Sequence, residues 1–201
     1  MAKNNFIVNN DFSNFIKVFL EENSKLNLIS KNDGKVLYEK HIYDSLSVKL
    51  LNIIKDNSKI LDIGCGGGFP CLPISIEFPN ANVAGIDSIR KKINAVNNIK
   101  SKLGIKNLSA ICGRVENQNF DEKFDIITSR AVANLGLISQ YALPLLDKNG
   151  YFVAYKSKKA IDEIYASKSV LSKFNAKVID VVEYELPLEE VYERCLVVIG
   201  F

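Results

Sequence analysis

The residues best suited to chemistry in this 201-residue chain cluster around positions 60–70, Ile-Leu-Asp-Ile-Gly-Cys-Gly-Gly-Gly-Phe-Pro. An apolar run leads directly into a glycine-rich turn, where the missing Cβ atoms let the backbone bend sharply and approach a ligand closely. A second acid, Asp87, follows another apolar run 25 residues after Asp62. Backbone N–H groups at the start of the next helix and a ribose-binding acid together predict a nucleotide-type cofactor site.

The glycine spacing discriminates between cofactors. In the dinucleotide pattern G-x-G-x-x-G, Gly64 and Gly66 fit, but the third position falls on Phe69. The segment reads D-x-G-x-G-x-G from Asp62 to Gly68, which resembles the first motif of class I S-adenosylmethionine (SAM) methyltransferases. By that resemblance, the second acid binds the ribose of SAM. SAM is the favoured cofactor, and a dinucleotide or an ordinary strand–helix turn is the alternative.

Composition limits the class of protein. The chain has the length of one domain and is 47% hydrophobic, enough for a substantial core. Its net charge of +3 permits a nucleic-acid partner without demanding one. The first ten residues lack a long apolar stretch, and no run reaches the length of a membrane span. We therefore expect a cytoplasmic protein with no membrane partner.

The cysteines do not form a metal-ligand pattern. No C-x-x-C pair occurs, and the chain has one histidine, so we expect no metal site. Free thiols in a reducing compartment are the simplest expectation. These cysteines are Cys65, Cys71, Cys112 and Cys195.

The apolar periodicity changes near position 56. Residues 1–55 repeat apolar side chains at helical spacing and are predicted to form a helical extension. Residues 56–201 alternate strand and helix patterns, which we expect to form one compact SAM-binding methyltransferase core. Gly150 is placed at a helix-to-strand turn. Strands are predicted at 59–63, 82–86, 108–112, 124–129, 151–156, 177–185 and 194–199, and core helices at 71–78, 89–103, 135–146 and 158–174.

This order of elements predicts an α/β fold with a mostly parallel, doubly wound sheet of seven strands. The last two strands have no helix between them, so they should pair as an antiparallel hairpin. Such a sheet is the one expected of class I SAM-dependent methyltransferases, whose Rossmann-like core would here carry the N-terminal helical extension.

The sequence lacks the motifs that are typical of two kinds of base methylation. Enzymes that methylate exocyclic amines usually carry Asn/Asp-Pro-Pro-aromatic after the fourth strand, where this chain has the run 128–131, Thr-Ser-Arg-Ala. Pyrimidine C5 methylation needs a cysteine nucleophile, and the nearest match, Pro70-Cys71, falls in the first helical turn. A ring nitrogen such as guanine N7 has a free lone pair and loses no proton, so we predict no general base.

Several segments together resemble the bacterial small-subunit (16S) ribosomal RNA guanine-N7 methyltransferase family, also called glucose-inhibited division protein B. The resemblance runs in order over about residues 12–160. The combination of His-x-x-Asp-Ser-Leu with Ser-Arg-Ala narrows the match from class I methyltransferases in general to this family. The matching segments are 27–28, 41–46, 61–70, Asp87 with 91–92, 114–116, 124–125 and 129–131.

The resemblance implies roles for individual residues. Gly64 and Phe69 would line the SAM site, Val115 and Glu116 would contact the adenine side, and Arg130 would lie at the pocket mouth near cofactor and RNA. It also implies methyl transfer to guanine N7, with 16S ribosomal RNA or the small ribosomal subunit as partner. Nothing in the sequence demands association, so a monomer is expected. The glycine motif and the acid that follows it add four residues to those predicted to bind the cofactor: Asp62, Gly66, Gly68 and Asp87.

Basic residues near the predicted strand ends could form a rim for RNA phosphates. His41 is assigned either a structural or an RNA-binding role. Two alternatives remain open: a class I methyltransferase acting on another substrate, and a non-catalytic RNA-binding module that keeps the fold. The rim candidates are Arg90, Lys91, Lys92, Arg114, Lys156, Lys158 and Lys159.

Overall fold

A computed structural model describes residues 6–157 and 160–201. The regular elements follow one another in an order that changes at residue 59 from helices alone to alternating strands and helices. The α-helices are α1 Ser13–Leu26, α2 Lys31–Lys35, α3 Asp44–Leu46, α4 Cys71–Glu77, α5 Arg90–Leu103, α6 Leu135–Ala142 and α7 Ala160–Lys173. The strands are β1 Lys59–Ile63, β2 Asn82–Asp87, β3 Leu108–Cys112, β4 Phe124–Arg130, β5 Leu146–Ser157, β6 Lys177–Leu186 and β7 Tyr192–Gly200.

The N-terminal helices turn one apolar face toward the rest of the chain. Helix α1 buries Phe15 and Phe19, and it ends at Asn27, whose left-handed φ of 49° stops the helix. The segment before α3 is a π-helix, Tyr38–Tyr43, and a 3-10 helix, Ser47–Leu51, follows α3. Irregular helices of this kind are frequent at functional sites.

The seven strands form one sheet in the order β3-β2-β1-β4-β5-β7-β6. Strands β1 to β5 pair in parallel, whereas β7 is antiparallel to both β5 and β6. The predicted fold class is therefore confirmed, including the C-terminal hairpin. Chain order reverses between β1 and β4, and in open α/β sheets the crevice beyond the carboxyl ends at that point binds ligands.

Alternate side chains of each central strand enter different cores. In β1, Ile60 belongs to the core shared with α1 and α4, while Leu61 belongs to the core shared with α6. This division follows from the two-residue period of a strand covered on both faces. Helix packing on both faces fixes the carboxyl edge of the sheet in place.

The prediction for Gly150 was wrong. Gly150 lies inside β5, which begins at Leu146 rather than at 151. A Cβ at this position would lie 2.7 Å from the carbonyl oxygen of Asp125, so a close approach of two strands requires the glycine. Helix α6 also ends earlier than predicted, at Ala142, and a 3-10 turn, Leu143–Leu145, connects it to β5.

Candidate functional site

The glycine-rich loop leaves β1 at Gly64 and returns into α4. The backbone N–H groups of Gly64 and Cys65 both donate to the carbonyl oxygen of Ile86, at 2.8 and 3.0 Å, so the loop is fastened to β2. Gly64, Gly66 and Gly68 have φ values of 73°, 55° and 101°. Residues that carry a side chain rarely adopt these backbone angles, so the backbone geometry favours glycine at all three positions.

Asp87, at the end of β2, holds this loop from the other side. Its Oδ2 accepts a hydrogen bond of 2.9 Å from the backbone N–H of Gly66, and its Oδ1 accepts one of 2.8 Å from Ile89. A carboxylate offers about four acceptor positions. Both oxygens of Asp87 therefore keep capacity for the two hydroxyls of a ribose.

A cavity of about 340 Å³ opens at the carboxyl edge beside Gly64 and Asp87. Its walls include large apolar side chains that are unusually exposed, Ile89, Val132 and Leu137. Exposed apolar walls next to a few polar groups are typical of a site that a ligand covers. We call it the cofactor cavity; it is lined by Ile63, Gly64, Ile86, Asp87, Ser88, Ile89, Gly113, Arg114, Val115, Glu116, Val132, Ala133, Leu137, Ile138 and Tyr141.

Asp62 lies beneath the loop and is fully buried. One carboxylate oxygen accepts from the backbone N–H of Cys71 at 3.1 Å, and the other from the hydroxyl of Thr128 at 3.1 Å. Burial raises the pKa of Asp62 to about 7, against the opposing effect of these hydrogen bonds. Asp62 thus connects the start of α4 to β4 from below the loop.

Phe69 faces the N-terminal helices. Its ring is almost fully buried and makes edge contacts with Phe15 and Phe19 of α1, at centroid distances of 6.1 and 5.0 Å. The guanidinium of Arg130 lies over the same ring, 5.2 Å from its centroid, close enough for a cation–π contact. Phe69 therefore supports Arg130 from inside the core.

Arg130 ends β4 within a network that joins distant parts of the chain. Its Nη1 donates to Asp44 at 3.0 Å, and its Nη2 donates to Nδ1 of His41 at 3.0 Å. Asp44 also accepts from Arg194 on β7, at 3.1 and 3.4 Å, and from the hydroxyl of Tyr184 on β6, at 2.6 Å. One buried carboxylate thus holds two guanidinium groups together.

The network fixes two protonation states. Burial raises the pKa of Asp44, but Arg130 and Arg194 outweigh burial and hold it below its usual value, so the carboxylate is ionised. Burial and the Arg130 guanidinium lower the pKa of His41 to about 4. Neutral His41 accepts through Nδ1, so its proton is on Nε2, which within the described residues makes no hydrogen bond and lies 3.7 Å from Asp33.

A second cavity, of about 180 Å³, opens beside this network. Within the described chain, three cationic side chains and one carboxylate line it. We call it the cationic cavity; it is lined by Lys40, His41, Asp44, Arg130, Ala131, Leu186, Tyr192 and Arg194.

The sequence-predicted residues separate into two groups. Gly64, Asp87, Val115 and Glu116 line the cofactor cavity. The others occupy supporting positions: Asp62 lies under the loop, Gly68 belongs to the loop and packs against Leu72, Gly66 is bonded to Asp87, Phe69 lies in the core, and Arg130 lines the cationic cavity. Sequence reasoning missed Arg194 and Tyr184, which meet Asp44 from 150 and 140 positions away with no local motif to mark them.

The predicted basic rim is only partly available. The ammonium of Lys156 lies 2.7 Å from Glu163 and 2.8 Å from the carbonyl oxygen of Ala133, so it fastens the 131–134 loop to α7. Arg90 and Lys91 are exposed at the start of α5. Arg114 lies 3.7 Å from Glu116 at the surface. Lys158 and Lys159 lie outside the described residues.

The described residues offer neither a cluster of metal ligands nor a membrane-spanning helix. Within residues 6–157 and 160–201, no three His, Cys, Asp or Glu side chains are grouped to hold a metal ion. No helix in the same ranges is both long enough and apolar enough to cross a membrane.

The fold, the glycine loop and the acid at the end of β2 define a class I SAM-dependent methyltransferase. Solved structures with this fold include a putative methyltransferase from Thermoplasma acidophilum, with a TM-score of 0.58 and 12% identity over 73% of this chain and 69% of that one. Another is precorrin-6y C5,15-methyltransferase from Geobacter metallireducens GS-15, with a TM-score of 0.56 and 13% identity over 88% of this chain and 91% of that one. These likenesses show the fold alone.

Sequence comparison identifies the family. Residues 8–192 match the family described as GidB, rRNA small subunit methyltransferase G. The chain is 36% identical to ribosomal RNA small subunit methyltransferase G of Lactobacillus helveticus, over 99% of this chain and 87% of that protein. It is 38% identical to the protein of that name in Lachnoclostridium phytofermentans, over 94% of this chain and 79% of the relative. The chain belongs to the rRNA small subunit methyltransferase G family.

Proposed function

We propose that this protein transfers a methyl group from SAM to N7 of a guanine in 16S ribosomal RNA. The observation that carries the proposal is a cofactor cavity at the sheet's switch point, directly beside a cationic cavity, in a chain of this family. Two consecutive residues line the two cavities: Ala131 lines the cationic cavity, and Val132 lines the cofactor cavity.

The residues of the cofactor cavity fit SAM. Asp87 would accept hydrogen bonds from both ribose hydroxyls through the acceptor positions that Gly66 and Ile89 leave free. The backbone around Val115 and the side chain of Glu116 would meet the adenine edge at the end of β3. Apolar walls from Ile89 and α6 would enclose the adenine ring. Gly64 would let the cofactor approach the backbone.

Methyl transfer to guanine N7 depends on the alignment of the two reactants more than on proton transfer. When bound, SAM supplies a methyl group on a sulfonium, and guanine N7 accepts it with a free lone pair. The protein then has to hold the two partners in line and exclude water. His41 fits this view, because its Nδ1 lone pair is occupied by Arg130 and its pKa is about 4. Arg130 would orient the RNA, since it ends β4 and lines the cationic cavity.

Methyl transfer from labelled SAM tests the proposal. The purified protein and labelled SAM are incubated in separate reactions with ribosomal RNA, with small ribosomal subunits and with total cellular protein. All three substrates come from a strain lacking the enzyme. Label in ribosomal RNA supports the proposal. Label in protein or in small molecules would show a methyltransferase with another substrate. SAM and RNA binding without transfer would show a non-catalytic binding module.

We further propose that residues 1–55 serve as an extension that completes the RNA side of the site. The contacts supporting this role come from His41 and Asp44, which hold Arg130 in place. The protein would need no partner subunit for this arrangement, which is consistent with a monomer, and no membrane.

A further inference from the structure

The cationic cavity has an excess of positive charge that its internal contacts do not remove. Lys40 is balanced by Asp33, whose Oδ1 lies 2.5 Å from its ammonium. The two arginines share Asp44 as the carboxylate that both contact, so the group of three carries a net positive charge. His41 adds none at neutral pH because its pKa is about 4.

The one carboxylate among the described residues that line the cavity already has its acceptor positions filled. Asp44 receives four hydrogen bonds, one from Arg130, two from Arg194 and one from Tyr184, which fills the four positions a carboxylate offers. Burial raises the pKa of the Tyr184 hydroxyl well above its usual value, so it remains a donor. What the cavity offers to a ligand is therefore mostly cationic N–H donors.

A cavity that offers mainly N–H donors should bind some parts of an RNA better than others. The Watson–Crick edge of guanine carries N–H donors that need acceptors, and Asp44 has none to spare. A phosphodiester has only acceptors and a negative charge, and arginine binds it in a planar, two-point geometry. The position also fits, because the consecutive residues Ala131 and Val132 line this cavity and the cofactor cavity, where the target base must meet the methyl group.

We infer that the cationic cavity binds a phosphodiester of the RNA beside the target guanine, through Arg194 together with Arg130. Asp44 is the positioning residue that keeps both guanidinium groups at one place. The inference rests on the proposed function and adds which part of the RNA is held and by which residues. Arg194 contributes from β7, so the C-terminal hairpin takes part in substrate binding.

The salt dependence of RNA binding tests this assignment. Each phosphate contact contributes about 0.7 (single strand) to 0.9 (duplex) to the slope of log affinity against log salt. Arg194→Gln should reduce that slope by this amount and weaken RNA binding about tenfold at moderate salt, as expected for one charge-assisted contact. SAM affinity should stay within about twofold, because Arg194 does not line the cofactor cavity.

A matched variant controls for the loss of one positive charge. Lys123 lies at the opposite edge of the sheet, where its ammonium donates to the carbonyl oxygen of Pro144. Lys123→Gln should leave the slope unchanged. Arg194→Lys should restore the slope but not the full affinity, since lysine keeps the charge without the planar fork.

The outcomes separate this inference from the proposed function. A 16S ribosomal RNA transcript is the probe, with binding followed by fluorescence anisotropy across a potassium chloride series and methylation measured in parallel. If wild-type protein methylates the RNA and Arg194→Gln shows an unchanged salt slope, the phosphate assignment is overturned while the proposed function survives. If the wild-type protein neither binds nor methylates this transcript or small ribosomal subunits, both are overturned.

Discussion

The carboxylate of Asp87 accepts a hydrogen bond of 2.9 Å from the backbone N–H of Gly66, so the acid proposed to bind ribose also holds the glycine loop. Loop shape and ribose binding therefore depend on one side chain. The arrangement explains why a glycine turn and a later acid recur at a fixed spacing in such sites.

Asp87→Ala should weaken SAM binding by about 10- to 100-fold, the loss expected for hydrogen bonds to a charged group. Isothermal titration calorimetry measures the affinity, and circular dichroism checks that the variant is folded. Asp125→Ala is the matched control, because Asp125 also accepts from a backbone N–H, that of Lys59, but at the opposite edge of the sheet. Normal SAM affinity in folded Asp87→Ala would contradict the ribose assignment.

Arg130→Ala should lower the methylation rate about 100-fold while changing SAM affinity little. Arg130 lines the cationic cavity rather than the cofactor cavity, and a small misplacement of a reacting group costs about two orders of magnitude in rate. Single-turnover methylation and calorimetry give the two quantities. Equal losses in rate and SAM affinity would remove the argument for a role in orienting RNA.

The buried acid Asp62 predicts a pH dependence of stability. Its pKa is raised to about 7 in the folded state, so between about pH 4 and pH 7 the folded state binds more protons than the unfolded state. Stability from this group is therefore lost as pH rises through that range. Asp62→Asn, which stays neutral, should gain stability relative to wild type as pH rises from 5.5 to 8. Thermal unfolding across pH measures the difference, and a pH-independent difference would refute the raised pKa.

Two glycine-to-alanine variants compare backbone strain alone with backbone strain combined with steric overlap. Gly104→Ala, with a φ of 67° and open space around it, should cost about 1 kcal/mol. Gly68 has a φ of 101°, and its Cβ would lie 2.2 Å from Cδ1 of Leu72, so Gly68→Ala should cost at least about 2 kcal/mol more than Gly104→Ala. Urea unfolding measures the loss in free energy of unfolding for each variant. Similar losses would show that the side chain of Leu72 in α4 moves aside easily.

Local patterns carried most of the fold prediction. The segments that became β1 and β3 have the bounds predicted for them, because each is a short segment rich in apolar residues that ends directly before a glycine, Gly64 or Gly113. The start of β5 was missed, since its first residues include Asp147, Lys148 and Asn149, a polar run that looks like a turn. Tertiary pairing with β4 decided the conformation there.

The site was predictable only where its residues are close in sequence. The glycine loop and Asp87 share one β-α-β unit, so their spacing identifies them. The direction of Phe69 was not predictable, because the same loop position can face the cofactor or the N-terminal helices, and contacts with Phe19 decide between them. The pairing of Asp44 with Arg194 spans 150 positions and becomes visible only in three dimensions.

The identity of the methylated nucleoside decides whether this protein methylates guanine at N7. Small ribosomal subunits from a strain lacking the enzyme are incubated with the purified protein and methyl-labelled SAM, and the 16S ribosomal RNA is then digested to nucleosides and separated. We expect label in 7-methylguanosine alone, at one site in a nuclease map, and its near loss with Arg130→Ala. Label in another nucleoside, or SAM binding without any labelled RNA, would contradict the account.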